Sequence, residues 1–147
     1  MKKNKNLRLH PKERQEQLEK FIVTAVALHG ISRVTHSHVA QLAGVSVSTI
    51  HYYFHKRQNL VDAAIKQVED FLIEIFTVNL GQDSVVDAMT DLAAAFVKEG
   101  FGNPELIKVW LDWSAGINQN VWRDYQDLLE DLHGRVRKVL ARGKREK

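Results

Sequence analysis

Leu60, Ala64, Val68, Leu72 and Phe76 recur every four positions through a stretch that contains neither proline nor glycine. A repeat of four sets all five side chains on one stripe of an α-helix, whereas a strand would throw alternate residues to opposite faces. The same period governs most of the chain. Leu18, Phe21, Ile22, Ala25, Val26 and Leu28 follow Pro11, which suits a first helical turn, and Gly30 stops that helix. A short second helix is expected after Thr35 or Ser37, carrying Val39, Ala40, Leu42 and Ala43. Gly44 then permits a sharp turn, and Ser46 or Ser48 can cap a third helix through Ile50 and Phe54. Beyond Gly81 a fifth helix carries Val85, Met89, Leu92, Ala93 and Phe96 and ends at the Gly100–Pro104 break. A sixth carries Leu106, Trp110, Trp113 and Ile117, and a seventh Trp122, Tyr125, Leu129, Leu132, Val136 and Leu140. No alternating run with hairpin turn chemistry competes with these, so the fold class is all-α.

The absence of cysteine from all 147 residues removes disulfides, thiolate nucleophiles and cysteine-based zinc sites together. The length suits one domain, or a small module fused to a modest bundle. The longest apolar stretch, Phe21 to Leu28, is interrupted by Thr24 and is too short to span a bilayer. The opening Met1-Lys2-Lys3-Asn4-Lys5 leads into no signal-peptide core. The expectation is a soluble cytoplasmic protein without a membrane partner.

Charge is strongly partitioned. Residues 1–60 carry ten Lys/Arg against three Glu, residues 61–134 four against fourteen Asp/Glu, and residues 135–147 seven against one. The local balances are therefore +7, −10 and +6. A basic head on an acidic body suits a head that meets a polyanion while the body does not. The head also contains the most distinctive segment, residues 35–54, in which two short helices meet at Gly44 with alanines at their close approach. That is the geometry of a helix-turn-helix, whose second helix enters the major groove of DNA. Val39, Ala40, Ala43, Val45, Ile50 and Phe54 would form its interior. Val47, Ser48, Thr49, His51, Tyr52 and Tyr53 would point outward, a set suited to phosphates and base edges. The competing reading is a helical corner that merely packs, with its tyrosines half-buried.

The run Val39-Ala40-Gln41-Leu42-Ala43-Gly44-Val45-Ser46, then Ser48-Thr49-Ile50-His51-Tyr52-Tyr53-Phe54 and Leu60, resembles the DNA-binding domain of TetR-family transcriptional regulators. The stretch from Leu106 to Ala115, with Val121-Trp122 following, is similar to the LuxR/HapR-type quorum-sensing master regulators of that family, and the likeness covers roughly residues 12–143. The resemblance implies a helix-turn-helix domain over residues 1–56 and a helical regulatory bundle over 57–147. It implies a sequence-specific regulator, repressor or activator, that binds a palindromic operator in double-stranded DNA as a homodimer and answers to a small apolar effector. Thr35, Ser37, Thr49, Tyr53 and Arg57 match phosphate-contacting positions, and Val47, Ser48, His51 and Tyr52 match base-facing ones. The Lys2, Lys3, Lys5 and Arg8 arm matches segments that lie along a backbone or in a minor groove.

The effector pocket would fall between the later helices, drawing on Phe76, Phe96, Trp110, Trp113, Ser114 and Ile117, with Asn118 as a further polar candidate. The same aromatics at helical spacing equally describe a filled core. Family members usually continue for several helices that form the dimer bundle, so this chain, ending at Lys147, is expected to hold a partial bundle. On that expectation it would expose apolar surface around Trp122, Leu129 and Val136 and self-associate. The alternative function is a truncated DNA-binding or adaptor module that pairs with a full-length partner and has no ligand response. A bundle that binds no nucleic acid is a third possibility.

Other chemistry is weaker. His36 with His38, and His51 with His55, invite a metal, but Tyr52 stands where a zinc-protease helix needs its general-base glutamate. Asp83, Asp87 and Asp91 recur every four residues, as a solvated helix face does. No nucleophile elbow or phosphate-binding glycine loop occurs. No catalysis, cofactor or metal is expected.

Overall fold

The computed structural model describes residues 10–116 and 119–144 and consists, among them, of seven helices and no strand. These are α1 (Pro11–His29), α2 (His36–Ala43), α3 (Val47–Tyr53), α4 (Arg57–Asn79), α5 (Val85–Gly102), α6 (Pro104–Ser114) and α7 (Gln119–Gly143). Most boundaries have a local cause. Proline opens α1 and α6; Thr35, Ser46 and Ser84 cap α2, α3 and α5, each accepting the backbone N–H three residues on. Gly44 closes α2 in the left-handed region at φ 64°, a conformation that a β-carbon disfavours.

The four-residue stripe of α4 is the axis of the molecule. Leu60, Ala64, Val68 and Leu72 are fully buried, and Val61, Ile65 and Ile75 widen the stripe. One cluster of buried side chains runs from Leu18, Ile22 and Val26 of α1 through Ile50 and Phe54 to Val109, Trp113, Tyr125 and Leu132 of the later helices. A smaller cluster of Leu80, Ala88 and Val139 joins α5 to the end of α7. Arg142 reinforces that corner by donating to the carbonyls of Leu80 and Gln82 at 3.1 and 3.3 Å.

Three expectations need correction. Leu28 is 59% exposed, because the inward face of α1 is the row Leu18, Ile22, Ala25, Val26 and Leu28 has turned past its edge. In α7 the buried row is Val121, Tyr125, Leu128, Leu132 and Val139. Trp122, Leu129 and Val136 lie on the flanks of that row, half-buried against the core rather than forming an exposed apolar patch. Exposed apolar side chains are spread over all seven helices and are most frequent on α5, which buries only Ala88 fully and leaves Val86, Val97 and Phe101 in solvent.

One residue, Ile31, bonds the later helices through both of its backbone groups. The Ile31 N–H donates to Asp112 Oδ2 of α6 at 2.7 Å, and the Ile31 carbonyl accepts from Arg57 Nη1 of α4 at 2.7 Å. Both charged partners are locally misplaced. An acid in the last turn of α6 and a base at the first residue of α4 each oppose the helix dipole. Their position is explained by the Ile31 backbone between them, in a residue only 2% exposed. Gly30 makes the approach possible: it holds φ at 83°, and a β-carbon there would stand 3.4 Å from the Asp112 carboxylate.

Two predictions follow from this packing. Asp112→Ala leaves the Ile31 N–H unpaired at a buried site and should reduce stability by about 1–3 kcal/mol, with Asp112→Asn losing less because it keeps an acceptor. Urea unfolding measures both, and wild-type stability in Asp112→Ala would show that the contact contributes nothing. On the α4–α7 groove, Glu69 has its carboxyl raised above the usual range, first by burial, against the lowering effect of Lys66, and further by Asp124 and Asp70. The folded state therefore holds that proton more tightly, so its ionisation penalises the fold above the raised value and not below the unfolded one. Glu69→Gln should melt slightly higher than wild type at pH 7, the gap closing as pH falls through the carboxylate range; a lower melting point at pH 7 contradicts this.

Candidate nucleic-acid interface

The interface is built by holding a short helix from behind. Ile50 of α3 is fully buried and Phe54, just past its end, is 5% exposed, which anchors the inner side of the helix. The outer side keeps Val47, Ser48, His51 and Tyr52 exposed, Tyr52 at 72%. Thr49 and Tyr53 are half-buried, and the Tyr53 ring meets Tyr52 edge-on at 5.0 Å.

The entry to α3 is a knot of hydroxyls. Ser46 Oγ accepts the Thr49 N–H at 3.2 Å and lies 2.9 Å from Ser48 Oγ and 2.8 Å from Thr49 Oγ1. At the start of α2, Thr35 Oγ1 accepts the His38 N–H at 3.3 Å, and the Thr35 N–H donates back to His38 Nδ1 at 3.2 Å. Thr35 and Ser37 are exposed there. Thr35 Oγ1 caps as an acceptor and keeps its own proton to donate, whereas Ser46 Oγ shares hydrogen bonds with the neighbouring Ser48 and Thr49 hydroxyls. Arg57 is half-buried, with one guanidinium N–H engaged by the Ile31 carbonyl.

The histidines pair differently from their sequence neighbours. His29 stacks on His38 at 3.6 Å, fastening α1 to α2, and His36 stacks on His51 at 3.8 Å, fastening α2 to α3. His36 is 8% exposed, and its Nε2 lies 2.6 Å from the Phe54 carbonyl. No sequence spacing announces these pairs, because each joins two helices. Among the described residues no three metal-ligating side chains converge. The Lys2, Lys3, Lys5 and Arg8 arm lies outside the described residues.

The residues matched to an effector pocket separate into two aromatic groups. Phe76 meets Phe96 edge-on at 5.6 Å, and Phe96 stacks on Trp110 at 6.0 Å. Trp113 belongs instead with Tyr125, 5.3 Å away; it is 2% exposed, and its indole N–H donates to the Val121 carbonyl at 2.7 Å. Ser114 donates to Leu111 of its own helix at 2.8 Å. Ile117 and Asn118 lie outside the described residues. A groove of about 450 Å³ opens beside the first group, between α4 and α5, lined by Phe71, Ile75 and Ala94 among others and by none of those candidates. The Trp110 indole N–H is buried and has no hydrogen-bond partner among the described residues.

Comparison with known proteins agrees with this architecture. Residues 23–64 match the bacterial regulatory proteins of the tetR family. Over 124 residues the chain is 30% identical to the HTH-type transcriptional regulator LuxR of Vibrio harveyi, covering 82% of this chain; it spans 59% of LuxR's length. Among solved structures, the fatty acid degradation regulator FadR from Bacillus halodurans superimposes with a TM-score of 0.74 at 21% identity, over 94% of this chain and 71% of that one. The multidrug binding protein EbrR, complexed with imidazole, does so with a TM-score of 0.62 at 19% identity, over 90% and 69%. These two share the fold. With the helix-turn-helix match and the likeness to LuxR, the chain belongs to the TetR family of bacterial regulatory proteins.

Proposed function

We propose that the chain is a sequence-specific DNA-binding transcriptional regulator whose α3 reads base edges in the major groove. The observation that carries this is α3 itself: a helix with a buried Ile50 behind it and Val47, Ser48, His51 and Tyr52 in solvent before it. Thr35, Ser37, Thr49 and Tyr53 surround that face and serve the backbone phosphates. Arg57 stiffens the base of the head through Ile31, with its remaining N–H groups free to meet a phosphate. The partition of charge supports the same orientation, since the acidic body is repelled from the duplex that the head approaches. A two-fold operator requires two such heads about 34–36 Å apart, so the active form is a homodimer. The likeness to LuxR supports a place in quorum-sensing control.

Binding is gated, in this reading, by a small apolar effector at α4, α5 and α6. The buried, unpartnered Trp110 N–H supports it: the ligand would be largely apolar with one acceptor for that donor. Regulators of this fold include one named for fatty acid degradation and one named for multidrug binding. A shift of α6 would pass through Asp112 and the Ile31 backbone to the base of the head. Its size is limited by the ligand's preference for one arrangement over the other. A second reading is a DNA-binding module without ligand response, favoured by Trp113, which is fully packed and satisfied.

Affinity for duplex DNA should fall by orders of magnitude between about 50 and 200 mM salt. Thr49→Ala should weaken binding to specific and random duplexes alike, on the order of 1 kcal/mol. Tyr52→Ala should instead flatten the preference at particular base pairs. Fluorescence anisotropy over a salt series decides, and affinity indifferent to salt would end the DNA-binding reading. For the effector, Trp110→Phe keeps the ring and removes the donor. It should retain DNA affinity while losing the response to planar apolar compounds bearing one carbonyl. If no such compound shifts the DNA affinity of the wild-type chain, the ungated reading stands.

A further inference from the structure

His36 is an unusual residue for its place. It is the first residue of α2, it is 8% exposed, and it is packed behind α3 where an apolar side chain would need no partner. Burying an imidazole requires its N–H to be satisfied, and here the Phe54 carbonyl at 2.6 Å accepts it, which fixes the Nε2-protonated tautomer. Phe54 terminates α3, and its carbonyl belongs to the end of a helix that has no further turn to supply a donor. The other feature of the ring is its face. It lies parallel to the ring of exposed His51, with centroids 3.8 Å apart and planes 12° from each other.

We propose that His36 is a positioning residue for sequence reading: a buried platform, oriented by the Phe54 carbonyl, that holds the His51 imidazole at a set height and tilt on the outer face of α3. The inference rests on the assignment of α3 as the DNA-reading helix and adds a residue that does not itself touch DNA. An exposed histidine samples several rotamers, and freezing it on a base edge costs conformational entropy at the moment of binding. The stack removes part of that freedom beforehand, so the contact forms from a ring already in place. The hydrogen bond at one edge of His36 and the stack on its face act together, because the bond prevents the platform from rotating.

The test measures the full chain against its preferred duplex, selected from a random pool, against single base-pair variants of it, and against random-sequence duplex. His51→Ala identifies the base pair that His51 reads. His36→Leu, which loses both the donor and the aromatic face, should reduce discrimination at that base pair by roughly two- to twelve-fold while leaving affinity for random duplex unchanged. His36→Phe keeps a face for stacking and loses the donor; it should retain most of the discrimination despite a lower melting temperature. In a His51→Ala background, His36→Leu should remove no further discrimination, because the two act on one contact. In the free protein, the His51 ring-proton shifts should move toward solvent values in His36→Leu and not in His36→Phe. Unchanged discrimination in His36→Leu overturns the proposal, as does equal weakening on specific and random DNA, which marks a structural role alone. Wild-type chain that selects no sequence from the pool overturns the reading of α3 itself, and the proposal with it.

Discussion

The backbone of Ile31 is the contact on which the arrangement of the two halves depends. Its N–H is held by a carboxylate from α6 and its carbonyl by a guanidinium from α4, each at 2.7 Å. The two bonds engage the two successive amides that flank the Ile31 α-carbon, one held by an anion and the other by a cation, and charge-assisted bonds are shorter and stronger than neutral ones. The apolar cluster behind that residue supplies most of the stabilisation but little direction, because burial is roughly proportional to area and indifferent to angle. Direction comes from the clamp. It sets where α4 begins relative to the end of α1, and so the base from which α2 and α3 project.

Much of this fold could be read from residue spacing. The four-residue stripe of α4, the proline starts, the hydroxyl caps and the Gly44 turn are local, and each element forms where its own residues dictate. Ile50 and Phe54 mark the inner side of α3, so Val47, Ser48, His51 and Tyr52 of the expected outward set are exposed, whereas Thr49 and Tyr53 sit half-buried at its edges. What spacing does not show is rotation against a neighbour. In α7 both the row through Val121 and Leu128 and the row through Trp122 and Leu129 are apolar, and packing against α4 and α6 selects the first. Pairings between elements are equally silent. The histidine stacks unite residues 9 and 15 positions apart, and the bond from Ile31 to Asp112 spans 81 positions. The clamp did leave a trace: Asp112 and Arg57 are both set against their own helix dipoles, and such a local conflict points to a partner elsewhere. The resemblance sets Phe76, Phe96, Trp110 and Trp113 around one pocket, whereas Trp110 and Trp113, three residues apart on one helix, face different neighbours.

The result is a division of labour along one chain. The positive head presents a short helix whose inner side is apolar and whose outer side is hydroxyl, imidazole and phenol. The negative body offers aromatic clusters, a buried donor without a partner among the described residues and a groove, and it shares one buried core with the head in addition to the directed bonds at Ile31. Within the body α5 keeps the looser contacts, burying a single residue fully, and an element held that lightly opens at lower cost than the core it adjoins.

The most direct measurement of the central claim is a map of backbone amide shifts in the labelled chain as its preferred duplex is added. The account predicts changes concentrated at Thr35 to Ser37 and Val47 to Tyr53, with smaller ones at Ile31 and Arg57 and almost none along the acidic faces of α5 and α7. Changes centred on α5 or α7, or none on α3 at saturating DNA, would contradict it.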